Sequence, residues 1–151
     1  MHQIKRQQNL PVSLQQAWKF FSDPANLKSI TPQYMGFNIT SAPPGEMYEG
    51  MIITYKVSPL LKIPMNWMTE ITHIRKPFYF VDEQRAGPYK VWHHQHHFRE
   101  VEGGTEIIDQ VDYQLPLGPL GKLANAIIVK KQLKEIFDYR EKKLREMFGE
   151  E

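Results

Sequence analysis

A chain of 151 residues, 41% of them hydrophobic, is long enough to build one domain with a sizeable core. It contains no Cys, which excludes a disulfide framework, thiolate metal ligands and a Cys nucleophile. Nineteen Lys and Arg against 17 Asp and Glu leave a net charge of +2, too small an excess for a broad phosphate-binding surface, so no nucleic-acid partner is expected.

The N-terminal residues Met1 to Arg6 carry no apolar signal-peptide core, and no apolar run approaches the ~18–20 residues of a membrane span. A soluble, cytoplasmic protein without a transmembrane segment is expected, folded as one domain over 1–151. In chain order, residues 2–9 read as a first strand. Ser13 then precedes the helical stripe Leu14, Ala17, Trp18 and Phe21, and Gln16 completes a capping box with it. Asp23-Pro24 ends that helix, and a second short helix runs over 24–30 before Thr31-Pro32.

The middle of the chain reads as six further strands, at 37–41, 51–58, 63–74, 78–85, 89–101 and 105–115. Turn signals separate them: Pro43-Pro44-Gly45, Ser58-Pro59, Lys76-Pro77, Gly87-Pro88 and Gly103-Gly104. Short turns between consecutive strands imply an antiparallel meander. From Pro119 to Phe148 one long helix of about 45 Å is expected, at 1.5 Å per residue. Its stripe reads Leu120, Leu123, Ala124 and Ile127, then Leu133, Ile136, Phe137, Arg140, Leu144 and Phe148. The mixed Lys, Arg and Glu of its other face read as a solvated surface. The class is α+β: a seven-stranded sheet that must curl and bury its concave face against one amphipathic C-terminal helix.

The last hairpin fixes which side chains face inward. A two-residue turn at Gly103-Gly104 or at Glu102-Gly103 pairs even with odd positions, so Trp92, His94, His96 and Phe98 share a face with Ile107, Asp109, Val111 and Tyr113. The opposite face is polar. On the preceding strands the same parity selects Ile63, Met65, Trp67, Thr69 and Ile71, and Met51, Ile53, Tyr55 and Val57. An aromatic and aliphatic wall then encloses two His and one Asp, which must be paired or hydrated. His96 falls opposite or diagonal to Asp109, within reach of pairing. His-x-His with a facing carboxylate is compatible with a divalent metal, but no third His shares the face, and neither metal nor cofactor is expected.

Several segments together resemble the START-like (SRPBCC) superfamily. The opening runs from Pro11-Val12-Ser13 through Trp18-Lys19-Phe20-Phe21-Ser22-Asp23-Pro24 to Ile30-Thr31-Pro32. Trp67-x-x-x-Ile71-Thr72, Phe80-x-Asp82-x-Gln84, Gly87-Pro88-Tyr89 and Trp92-x-His94-x-His96-x-Phe98 follow in order, then Gly104-Thr105, Asp109-x-Val111-x-Tyr113 and Leu115-Pro116. Within the superfamily they are most similar to the polyketide cyclase/dehydrase-like ligand-binding group. The resemblance implies a helix-grip fold with a deep cavity between sheet and C-terminal helix, holding a hydrophobic molecule. It carries no shared catalytic motif, and Phe80, Asp82 and Gln84 match the pattern without a fixed facing.

Three functions compete. The first is binding or transport of a lipid-like or aromatic small molecule, on a wall of Tyr55, Trp67, Ile71, Trp92, Phe98, Val111 and Tyr113, with Leu123 and Ile127 from the helix. There His94, His96 and Asp109 would orient a polar head. The second is a cyclase or dehydratase using His96 and Asp109 as a proton-transfer pair. The third is a protein-interaction module, and a homo-oligomer is compatible with the sequence.

Overall fold

The computed structural model describes residues 1–43, 45–58 and 63–149. Strand β1 (His2–Leu10) is followed by helix α1 (Leu14–Phe21) and by 3-10 turns at Pro24–Ile30 and Gln33–Met35. Strands β2 (Asn38–Ser41), β3 (Ile52–Val57), β4 (Met65–Arg75), β5 (Tyr79–Ala86), β6 (Val91–Val101) and β7 (Gly104–Gln114) come next. They form one seven-stranded antiparallel sheet in the order β1-β7-β6-β5-β4-β3-β2. The first strand closes one edge against the last, and the turns after it carry the chain to the opposite edge.

Local chemistry explains these boundaries. Ser13 Oγ accepts from the Gln16 amide while the Gln16 side chain accepts from the Ser13 amide, so both donors at the start of α1 are satisfied. Asp23 caps the 24–30 turn at the Ala25 amide, with Pro24 in the first helical position. Between β6 and β7, Val101 pairs with Gly104, so the two-residue turn is Glu102-Gly103, with Gly103 at φ 83°. Gly104 packs so closely that a Cβ would stand 2.0 Å from the Leu10 carbonyl oxygen.

Two buried clusters fill most of the space between sheet and helices. Leu10, Trp18, Phe80, Phe98, Ile107 and Leu144 form one, beneath α1. Trp67, Tyr89, Val111, Tyr113, Leu133 and Phe137 form part of the other, beneath the C-terminal helix. Pro59 of the Ser58-Pro59 turn and the two Leu that follow it lie outside the described residues. Ile63 and Met65, expected on the inner face, are exposed, Ile63 lying before β4 and Met65 opening it, and burial in the strand begins at Trp67.

The C-terminal helix departs most from the sequence pattern. It comprises α2 (Pro119–Ala124), a π-helical turn (Asn125–Val129) and α3 (Lys130–Phe148). In α3 the expected face is buried, through Leu133, Phe137, Arg140 and Leu144. Upstream, Leu120, Leu123 and Ile127 point to solvent, and Gly121, Asn125 and Val129 face inward instead. The six-residue step from Ile127 to Leu133 turns a helix by about 600°, roughly 120° short of whole turns, so the two apolar groups never shared a face. The wide π turn adds to that offset.

Candidate functional site

Between the sheet and α3 lie two adjoining voids. The larger, about 150 Å³, is walled by aromatic and aliphatic side chains that include Phe37, Tyr55, Trp67, Trp92, Leu133 and Phe137. The smaller, about 70 Å³, lies toward α1 among Phe21, Ile53, Ile71 and Phe80. Asp82, His96 and Arg140 line both. The interior is thus partly hollow rather than deeply open: Trp67, Tyr89, Trp92 and Tyr113 pack ring against ring across it.

A polar cluster stands where the voids meet. On the sheet His94 is the backbone partner of Asp82, and His96 that of Asp109. The hydrogen bonds cross this register diagonally, as neighbours two residues away on one face can. His96 Nε2 donates to Asp82 Oδ2 at 2.6 Å, and His94 Nε2 donates to Asp109 Oδ1 at 2.8 Å. The expected His96–Asp109 pair is therefore replaced, with Nδ1 of His96 left 3.5 Å from Asp109 Oδ1. The imidazoles stack at 3.7 Å, and His96 stacks on Phe80 at 4.1 Å. From α3, Arg140 reaches Asp109 at 3.1 Å and lies over the rings of Phe21 and Phe137.

Burial and charge set the protonation of this cluster. Burial, reinforced by the neighbouring His94, lowers His96 to about 4, so the ring is neutral at pH 7. Burial opposes ionisation of Asp109, but the Arg140 guanidinium and the His94 hydrogen bond override it and hold the carboxyl below its usual range. At Asp82 burial is likewise overcome, chiefly by the His96 hydrogen bond. Tyr55 is pushed up by burial and then by the Asp82 charge, so an anion is disfavoured where this phenol stands.

With His96 neutral and its Nε2 proton on Asp82, Nδ1 is a bare acceptor, and it has no partner among the described residues. The buried N–H groups of Trp67 Nε1 and Arg140 Nε are equally unpaired. Asp82, His94, His96 and Arg140 border the larger void, so a guest there would meet a polar end in an otherwise apolar space. Asp82, His94 and His96 also bring potential metal-ligand atoms within 4.8 Å of one another, with Asp82 rather than the expected Asp109 as the carboxylate. In the structure those imidazoles are engaged in hydrogen bonds, His96 Nε2 to Asp82 and His94 Nε2 to Asp109, and their rings stack within 25° of parallel.

Of the residues expected on the wall, Tyr55, Trp67, Trp92, His94 and His96 line the larger void and Ile71 the smaller. Asp109 stands behind His94 as its partner, while Val111 and Tyr113 are packed into the core below. Phe98 belongs to the cluster under α1. Leu123 and Ile127 are corrected outright: the helix turns them outward, 56% and 64% exposed. Asp82 and Arg140 were the residues that sequence reasoning did not place. A charged side chain inside the apolar stripe of α3 was the available signal for Arg140. Asp82 had only its place in the pattern Phe80-x-Asp82-x-Gln84, and its facing stayed open because the bulge between Ile71 and His73 flips the parity that strand counting relies on.

A curved antiparallel sheet closed over a long C-terminal helix defines the helix-grip, START-like class. The chain belongs to the polyketide cyclase / dehydrase and lipid transport family, whose model matches residues 10–136. Solved structures agree on the fold. Protein TTHA0849 from Thermus thermophilus is 14% identical, with a TM-score of 0.70 over 96% of this chain and 95% of its own. Protein CV1439 from Chromobacterium violaceum is 10% identical, with a TM-score of 0.73 over 100% of both chains. A START superfamily protein from Mycobacterium smegmatis is 14% identical, with a TM-score of 0.67 over 98% and 97%. No curated protein matches the sequence significantly.

Proposed function

We propose that the protein binds a small, neutral hydrophobic molecule bearing a hydroxyl-type polar group, in the space between the sheet and α3. The observation that carries this reading is an aromatic-walled void with an ionised Asp82 and a neutral His96 on its border. A void of about 150 Å³ matches one aromatic ring or a short acyl segment. A larger guest requires α3 to move outward. Burial of the ring would supply most of the affinity. A hydroxyl can donate to Asp82 and also accept from an N–H such as that of Trp67, whereas a carboxylate would meet the Asp82 charge in a poorly screened space.

Calorimetric titration with phenol, cyclohexanol and benzoate tests this. Saturable binding of the neutral compounds, benzoate at least ten-fold weaker, and loss of that discrimination in Asp82→Asn are expected. Absence of saturable binding by either neutral compound would refute the reading. Proton transfer by His96, assisted by Asp82, is the second reading, favoured by the bare Nδ1. A ring lowered to about 4 is nonetheless a weak base at pH 7, which favours binding over catalysis.

A further inference from the structure

The outward face of the segment before α3 is apolar and basic at once. Leu117, Leu120, Leu123, Ile127 and Ile128 are 75, 67, 56, 64 and 48% exposed. Steps of three and four place Leu120, Leu123 and Ile127 on one side of the helix. Lys122, Lys130 and Lys131 are exposed in the same stretch, and no Asp or Glu occurs between Asp112 and Glu135. The mixed charge expected for this helix begins only at Glu135.

The segment is anchored rather than frayed. Gly121 lies so close to the Pro116 carbonyl that a Cβ would stand 2.2 Å from its oxygen. Tyr113 Oη donates to Asn125 Oδ1 at 2.7 Å, fixing the π turn from inside, and Val129 is buried. Leu117 adopts a left-handed φ of 72°, a strained conformation for a branched side chain that here leaves the side chain in water. A strained, anchored apolar patch of this kind marks an interaction surface.

We infer that residues 117–131 dock on an anionic lipid surface, the apolar side chains entering the headgroup boundary and the three lysines meeting acidic head groups. Charge selects this occupant. A second copy related by a two-fold axis would bring the same three lysines face to face, with no acid in the segment to meet them. Among the described residues no helix is long and apolar enough to cross a membrane, and the proposed contact is lateral. Lys130 and Lys131 immediately precede Gln132 and Leu133 on the wall of the larger void, which puts that wall next to the docked surface. The contact holds whatever the interior takes up.

Co-sedimentation of the full chain with vesicles is the test, comparing phosphatidylcholine alone with phosphatidylcholine containing one third phosphatidylglycerol. The anionic vesicles should bind on the order of a hundred-fold more tightly, the effect of three surface lysines, and high salt should erase the difference. Leu120→Ser/Leu123→Ser/Ile127→Ser should lose vesicle binding at unchanged melting temperature, and Lys122→Gln/Lys130→Gln/Lys131→Gln should lose the anionic preference. Failure to sediment with anionic vesicles, or undiminished binding by the Ser variant, would overturn the inference. So would a wild-type dimer in solution that the Ser variant converts to monomer, because a second copy would then cover the face.

Discussion

Between Lys130 and Phe148 the C-terminal helix buries Leu133, Phe137, Arg140 and Leu144 against the sheet, whereas between Pro119 and Val129 it buries Gly121, Asn125 and Val129 and leaves its large apolar side chains in water. The gripping half closes the interior with bulk and one guanidinium. The other is held by a glycine, an amide and a valine, and its bulk points outward. One continuous helix therefore serves two surfaces, and apolar composition alone does not say which way it faces.

The contrast is most strongly broken at Arg140. Arg140→Met removes the cation beside Asp109 and leaves a buried carboxylate held by His94, at a cost of about 3–5 kcal/mol. Urea denaturation should show this loss, and adding Asp109→Asn should recover much of it. A variant as stable as wild type would mean that the cation does not secure the gripping half.

Acid should act next, and again on the gripping half. His96 binds its proton at about 4 when folded and at the ordinary 6.5 when unfolded, so the unfolded chain takes up more protons between those values. The His96 contribution should be constant above pH 7 and fall by about 3 kcal/mol as the pH drops from 6.5 to 4. Asp82 and Asp109, both lowered, stabilise the fold above the ordinary carboxylate range and lose that contribution as the pH falls further. Melting curves against pH should lose the upper part of this limb in His96→Asn. Its persistence there would assign the titration elsewhere.

A smaller effect is expected where the outward-facing half is anchored. Tyr113→Phe leaves the buried Asn125 oxygen unpaired, at about 1–3 kcal/mol, with hydrogen exchange accelerated across the π turn. The smallest is on its apolar face. Leu123→Ser should change stability by less than about 0.5 kcal/mol, since the side chain is already hydrated. A destabilisation of several kcal/mol would show that Leu123 is packed after all.

Much of the fold was legible because short-range rules decide it. The capping box at Ser13, the Pro24 start and the Glu102-Gly103 turn each act within four residues, and the turn alone placed His94, His96 and Asp109 on one face. The site was legible only in part. Which carboxylate each His takes depends on side-chain lean across three strands, and the bulge beside Ile71 hid Asp82. The outward turn of Leu123 and Ile127 was readable as a phase break, in the six residues separating Ile127 from Leu133. The π turn and the volume left by packed rings are tertiary outcomes with no sequence signature of their own.

Binding of any guest requires the space between sheet and α3 to be hollow, apolar and accessible. Crystals equilibrated under xenon pressure test this most directly, because xenon enters dry apolar cavities of this size. A xenon site bounded by Trp67, Trp92, Leu133 and Phe137 is expected. Side chains closed over that position, with no xenon bound among them, would contradict it.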